Sequence, residues 1–187
     1  MREVLVFVSD GIAGMEEAIL RVYPNAEWQQ CLLHKMRNTL AKVRREDRGT
    51  VAWELRQIYL AGSREEAESA WRRFRARWER KYPEAVRAWE EELDSLFVFF
   101  RYPKALWTYL RSTNLLERFI RELRRGTKVR DHKFPKPEAI YKLFYLECER
   151  QGIKWERRLK GFAEAQEELK RLFEERYPTP QTVTQNP

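Results

Sequence analysis

No stretch of this chain is apolar for anything like the ~20 residues that a membrane-crossing helix needs. The apolar run nearest the start, Val4 to Val8, is too short for the core of a signal peptide. A helical membrane protein is therefore excluded, and the cytoplasm is the expected location. Glycine and proline are scarce, at 7 and 8 of 187 residues, which argues against an all-β protein with many tight turns. The two cysteines, Cys31 and Cys148, stand far apart and form no C-x-x-C pair. They read as reduced thiols, not as a disulfide framework. Acidic residues are outnumbered, 29 against 37 Lys and Arg, leaving a formal charge of +8 and a pI near 9.6. That imbalance favours a polyanionic partner through counterion release and long-range attraction. Nucleic acid comes first, and an anionic membrane surface second.

What is present is aromatic and charged together: 13% Phe, Trp and Tyr in a chain that is 35% charged. Such a mixture describes amphipathic helices with large anchors. Val4-Leu5-Val6-Phe7-Val8 before Ser9-Asp10-Gly11 has the pattern of a strand buried on both faces. Asp10 then falls at the strand's carboxyl end, where ligands of open α/β sheets gather. It can serve there as a metal ligand or, equally, as a turn or cap aspartate. Met15, Ala18, Ile19 and Val22 repeat at helical spacing up to Tyr23-Pro24-Asn25, and Glu27 to Leu33 reads as a second strand. Strand, helix, strand makes a βαβ unit. Two strands alone make a poor sheet, so part of the sheet is expected to lie outside this polypeptide.

Cys31-Leu32-Leu33-His34 puts a thiol and an imidazole three residues apart at a strand-to-helix junction. That is half of a structural zinc site, and packing is the default role for such a buried pair. Lys35 to Ala61 reads as one long helix or two, broken at Gly62-Ser63. A capping box follows at Ser63 and Glu66, then a stripe of Ala67, Ala70, Trp71, Phe74 and Trp78. Pro83 opens another helix with Val86, Trp89 and Leu93. The tryptophans are expected in the core; the sharper alternative is that one stacks on an unpaired base.

Residues 111–130 combine a helix start with a ladder of cations. Leu116, Phe119, Ile120 and Leu123 fall on one face expected to be buried, and Gly126 is expected to end the helix. Against Glu117 and Glu122 stand Arg111, Arg118, Arg121, Arg124, Arg125, Lys128 and Arg130. Asn114-x-x-Glu117 is close to a capping box, and spacing alone favours that structural role for Glu117 over a catalytic one. The cations can bind phosphates or form a solvated face. Beyond a basic loop at 131–137, Pro137 is placed to open a helix that buries Ala139, Ile140, Leu143, Phe144 and Leu146. A last helix, about 161–176, carries Leu169, Leu172 and Phe173. The tail is rich in Pro, Thr and Gln and is expected to be disordered.

Taken in order, Ser9-Asp10-Gly11 after a strand, Cys31-x-x-His34, Ser112-Thr113-Asn114-x-x-Glu117-Arg118, Arg124-Arg125-x-Thr127-Lys128 and Phe134-Pro135 resemble the Mutator-type transposases of bacterial insertion sequences. The resemblance implies a fold that is mostly α with a small βαβ piece, a partial ribonuclease H-like α/β core carrying an all-helical insertion. Residues 1–39 would be the strand–helix–strand part, 40–105 the insertion, 106–177 the helical remainder and 178–187 the tail. It implies that Asp10 and Glu117 are the second and third catalytic carboxylates and ligands of Mg²⁺ or Mn²⁺, with the first aspartate upstream of Met1 and metal affinity weak in this fragment. Cys31 and His34 match the family's C-x-x-H signature, whose role is not derivable from spacing. Arg118, Arg121, Arg124, Arg125, Lys128 and Arg130 would contact double-stranded DNA, at element ends and target, and self-association is expected. The function so implied is DNA cleavage and strand transfer by the complete enzyme, with the isolated chain inactive; a noncatalytic DNA-binding or regulatory remnant is the alternative. The pattern departs at Ile120, where many relatives carry Asn.

Overall fold

In the computed structural model, which describes residues 3–128, 136–155 and 159–178, strand β1 (Val6–Ser9) and strand β2 (Glu27–Gln30) pair in parallel across helix α1 (Met15–Val22). The register sets Val6 opposite Glu27 and Ser9 opposite Gln30. Both strands therefore end at the same level, with Asp10 beside Cys31. The apolar run predicts a strand from Val4 that is buried on both faces; observed β1 begins at Val6 and is only half-buried. With a single strand beside it, one edge and part of each face have no covering layer among the described residues. Likewise β2 stops at Gln30, because helix α2 (Leu32–Ala41) takes over Leu32 and Leu33.

The rest is helical: α3 (Arg48–Tyr59), α4 (Arg64–Trp78), α5 (Pro83–Leu96), two 3₁₀ turns (Val98–Arg101 and Lys104–Leu106), α6 (Trp107–Leu110), α7 (Asn114–Lys128), α8 (Pro137–Trp155) and α9 (Phe162–Arg176). Among the described residues no helix is long and apolar enough to cross a membrane. The stretch 35–61 is thus two helices. The Ser63 hydroxyl accepts from the Glu66 N–H at 3.2 Å, as a cap should, while Glu66 reaches back one residue further, to the Gly62 N–H at 2.7 Å.

Helices α2 to α5 share one core, in which Leu55, Ile58, Trp71, Phe74, Trp78, Val86 and Trp89 are buried. Trp71 and Trp89 stack at 5.9 Å. A buried indole needs a partner for its N–H: Trp89 donates to Thr39 Oγ1 at 2.7 Å and Trp78 to Glu54 at 2.7 Å. Trp53 is the exception, 63% exposed on α3. Gln29 joins this core to the sheet. Its side chain is fully buried, donates to the carbonyls of Gln30 and Leu96, and accepts from the Phe99 N–H at 2.7 Å.

Two expected faces are only partly buried. Helix α7 does not stop at Gly126 but runs on to Lys128; a single glycine costs a helix only about 1 kcal/mol. Along it Leu123 is buried, Phe119 and Ile120 are half-buried, and Leu116 is 52% exposed. Pro137 does open α8. However, Ile140, Phe144 and Leu146 are exposed and Ala139 and Leu143 only half-buried, because among the described elements α8 packs chiefly on α7. The expectations for the loop residues 129–135, Arg130 included, and for the tail from 179 lie outside the described residues.

Helix α9 is tied back to the sheet. Tyr177 donates to the Val4 carbonyl at 2.8 Å, and Arg176 donates to the Leu5 carbonyl at 2.7 Å and to Glu27 at 3.0 Å. Tyr102 reaches the same Glu27 carboxylate at 2.7 Å, and Arg101 pairs with it as well. Burial pushes the Glu27 carboxyl up, but the hydrogen bonds from Tyr102, Arg101 and Arg176 prevail and hold it below its ordinary value. The Tyr102 phenol is pushed well above its usual value by burial and by that neighbouring carboxylate.

Candidate functional site

Three element ends build the site. Asp10 follows β1 directly, Cys31 stands between β2 and α2, and Glu117 lies in the first turn of α7. Two backbone hydrogen bonds fasten them. The Cys31 N–H donates to the Ser9 carbonyl at 2.8 Å, extending the parallel ladder by one rung, and the Leu32 N–H donates to the Arg111 carbonyl at 3.0 Å. The start of α2 is thereby held between the end of β1 and the turn that opens α7.

At that junction His34, one turn into α2, reaches both carboxylates. Its Nδ1 is 2.8 Å from Asp10 Oδ1 and its Nε2 is 3.6 Å from Glu117 Oε1. One imidazole thus spans the two acids, with a different ring nitrogen toward each. Cys31 Sγ, fully buried, lies 3.2 Å from the same Nδ1. The Thr113 hydroxyl is 3.6 Å from Cys31 Sγ and 3.3 Å from Glu117 Oε1.

The sequence signals an Asn114 cap; the structure places the cap one residue earlier. The Thr113 carbonyl accepts the Glu117 N–H at 2.9 Å, the first intrahelical bond of α7. Glu117 consequently sits one position past the capping-box site, and its carboxylate bonds to the Thr113 side chain. This frees it to face the cleft while it still benefits from the positive end of the helix dipole. Thr113 is the site residue that spacing missed. A hydroxyl residue directly before an N-x-x-E helix start was its only signal.

The cleft over these groups has a volume of about 480 Å³ and is lined by Ser9, Asp10, Ile12, Met15, His34, Thr113, Leu116, Glu117, Ile120, Arg121 and Arg124, among others. It explains the exposure of Ile12 and Leu116, which form its apolar rim. The Asp10 and Glu117 side chains are 45% and 35% accessible. Both carboxylates face solvent, whereas the Cys31 thiol lies beneath them, fully buried.

Of the basic ladder, Arg118, Arg121, Arg124 and Arg125 are exposed on α7, and two of them, Arg121 and Arg124, reach the cleft. Arg125 pairs with Glu122 at 3.3 Å. Lys128 ends the helix, and Arg130 lies outside the described residues. Arg111 does not belong with them. Its guanidinium points inward, donating to the Tyr59 carbonyl at 2.7 Å and lying over the rings of Tyr59, Phe99 and Trp107.

Two solvent-accessible carboxylates make an oxygen donor set suited to a hard divalent cation, which in Mg²⁺ sites commonly keeps several waters and takes one or two carboxylates. Asp10 and Glu117 offer such donors from two different elements, one on each side of the His34 ring. The arginines beside them suit a phosphate.

Comparison with known proteins gives the class of molecule: relatives with curated descriptions are transposases for insertion sequence elements. The transposase for insertion sequence element IS905 of Lactococcus lactis is 34% identical over 175 residues, 93% of this chain and 44% of the relative. That for IS1201 of Lactobacillus helveticus is 35% identical over 140 residues, 75% of this chain and 38% of the relative. That for ISRM3 of Rhizobium meliloti is 33% identical over 177 residues, 94% and 44%. The chain therefore spans less than half the length of these relatives. Residues 1–158 match the family described as Transposase, Mutator family, and the chain belongs to that family.

Proposed function

We propose that this chain supplies two of the three catalytic carboxylates of a ribonuclease H-like transposase, Asp10 as the second and Glu117 as the third, together with part of the DNA-binding surface. The observation that carries the reading is the convergence of Asp10 and Glu117 on opposite sides of one imidazole, at the mouth of a cleft that Arg121 and Arg124 also line. A parallel β–α–β unit with an acid at its strand end suits that architecture, and helices α3 to α5 suit a module inserted between the two acids. The first aspartate is expected in the part of the longer relatives that this chain does not span.

Asp10 and Glu117 would hold Mg²⁺, or Mn²⁺, which when bound supplies charge neutralisation to attacking and leaving oxygens in phosphoryl displacement. The chain's own groups do the positioning. His34 orients the Asp10 carboxylate through Nδ1, and Thr113 orients that of Glu117. Arg121 and Arg124 hold the DNA backbone against the cleft, and Arg118 and Arg125 extend that contact along α7 toward Lys128; Arg130 is given the same role from the sequence alone. Ile12 and Leu116 limit water at the rim.

The test is a full-length transposase formed by joining this chain to the upstream portion of a close relative. Cleavage of terminal-repeat DNA should depend on Mg²⁺ and fall by about 10²- to 10³-fold in Glu117→Ala, as losses of a charge-stabilising group do. Unchanged cleavage would remove Glu117 from the catalytic set. If the joined protein binds DNA without cutting it, the chain is a binding module instead.

A further inference from the structure

The chemistry at the strand-to-helix junction is richer than a carboxylate pair requires. Besides Asp10 it holds a fully buried thiol and an imidazole, and neither sulfur nor imidazole is what magnesium selects. The ligand-capable atoms of Asp10, Cys31 and His34 all lie within 4.8 Å of one another. His34 Nδ1 is the common point, 3.2 Å from Cys31 Sγ and 2.8 Å from Asp10 Oδ1. Around a tetrahedral zinc ion, bonds of about 2.3 Å to sulfur and 2.0 Å to nitrogen or oxygen set such atoms roughly 3.3 to 3.5 Å apart. The three atoms are thus already close to a ligand triangle, and two of its residues, Asp10 and His34, line the cleft.

We propose that Asp10, Cys31 and His34 form a binding site for a thiophilic divalent cation, Zn²⁺, distinct in its ligands from the carboxylate pair but sharing Asp10 with it. Two features outside the triangle point the same way. A histidine that binds metal through Nδ1 carries its proton on Nε2, and ligating imidazoles typically donate that proton to a carboxylate. Nε2 of His34 faces one, Glu117 Oε1 at 3.6 Å. A metal-bound thiolate needs donors around its sulfur, and the Thr113 hydroxyl, 3.6 Å from Cys31 Sγ and 3.3 Å from Glu117 Oε1, can turn its one proton from the carboxylate to the sulfur. The site is also rigidly built: Cys31 is fixed through its own N–H to Ser9, and His34 is one helical turn further on.

Because Asp10 is a ligand in both sets, zinc at the triangle competes with magnesium at the carboxylate pair. That consequence rests on the reading of Asp10 as a magnesium ligand; the zinc site itself does not.

The test uses the whole chain carrying Cys148→Ser, so that Cys31 is the only thiol, titrated with Co²⁺ under reducing, oxygen-free conditions. One equivalent should produce a near-ultraviolet thiolate-to-cobalt charge-transfer band and the visible bands of tetrahedral cobalt, both abolished by added Zn²⁺. Adding Cys31→Ser should remove the charge-transfer band. Adding Asp10→Asn, which leaves the buried thiol in place, should keep the band and weaken binding by roughly tenfold or more, the scale on which even outer-sphere losses act. No band in the Cys148→Ser protein, a band that persists in Cys31→Ser, or an affinity untouched by Asp10→Asn overturns the proposal. Millimolar Mg²⁺ tests the competition separately: a lowered cobalt affinity supports it, and a cobalt affinity indifferent to Mg²⁺ overturns it.

Discussion

Replacing Arg111 by methionine tests whether this cation is structural. Its Nη1 donates to the Tyr59 carbonyl at 2.7 Å and its Nε to the Trp107 carbonyl at 3.2 Å. Burial pulls the guanidinium below its ordinary value, yet arginine stays charged at neutral pH. In Arg111→Met the Trp107 carbonyl keeps a partner, the backbone N–H of residue 111 at 3.0 Å. The Tyr59 carbonyl, at the last residue of α3, loses the arginine, a loss that costs about 1–3 kcal/mol for a buried acceptor left unpaired. Loss of the contact with three aromatic rings adds roughly 0.5–2 kcal/mol. Against this, the methionine avoids desolvating a charge, and its sulfur regains about 0.3–1.5 kcal/mol on the rings. The expected net loss is about 2 kcal/mol. Arg111→Lys keeps the charge, but its single ammonium cannot reproduce the planar fork, so it should fall between, near 1 kcal/mol on the same scale. Urea denaturation followed by tryptophan fluorescence reads both as shifts of midpoint at constant slope. If both variants stay within about 0.5 kcal/mol of the parent, the range of ordinary surface substitutions, Arg111 is a surface cation and belongs with the DNA-facing ladder after all.

Glu27 is held below its ordinary carboxyl value because hydrogen bonds from Tyr102, Arg101 and Arg176 outweigh its burial. A depressed folded-state value contributes stability that is fully present above the unfolded value, about 4.3, and is lost as pH falls through the folded one. Thermal melting temperature should therefore drop more steeply below pH ~4.3 in the parent than in Glu27→Gln, and parallel profiles would contradict the assignment. Gly161 has φ 84°, and a Cβ there would stand 2.9 Å from both the Cβ and the carbonyl oxygen of Ala105. Gly161→Ala should cost about 1–3 kcal/mol from backbone strain, with further loss from the clash, read by the same denaturation assay; a neutral result would mean that the α9 entry turn shifts freely. Removing one phosphate contact by Arg121→Ala should lower the slope of log affinity against log salt for DNA by about 0.9, measured by fluorescence anisotropy, whereas an unchanged slope would show that Arg121 does not touch the backbone.

The helices of residues 48 to 96 were legible because their signals are local. A serine cap at Ser63, a proline at Pro83 and tryptophans at helical spacing each specify a start or a face without help from distant residues. The βαβ unit was legible for the same reason, and its shared C-terminal level puts Asp10 beside Cys31. What spacing could not show is which apolar stripes find a partner. Leu116, Ile140 and Phe144 have the periodicity of buried residues yet are exposed, because burial depends on what packs opposite, and among the described residues nothing covers them. The inward turn of Arg111 was hidden for a related reason: its ring neighbours Tyr59 and Phe99 come from distant parts of the chain. The cap shift from Asn114 to Thr113 is one residue in sequence, but it decides whether Glu117 closes its own helix or faces the cleft.

That last point also explains why the C-x-x-H pair lies where it does. A carboxylate at a strand end and another at a helix start, 107 positions later in sequence, have no common element to hold their spacing. The bonds that fix it pass through the Cys31–Leu32 segment, whose N–H groups take one acceptor from each side, Ser9 and Arg111. His34, carried one turn along the helix that begins there, repeats the same bridge with its side chain. Loosening the segment should therefore separate Asp10 from Glu117 without disturbing either residue's own helix or strand. His34→Asn, which can reach one acid but not both, should leave stability within about 1 kcal/mol, the scale of one net hydrogen bond, while weakening metal-dependent cleavage by the joined transposase. A variant that loses stability and activity in step would instead make His34 a core residue whose reach to both carboxylates is incidental.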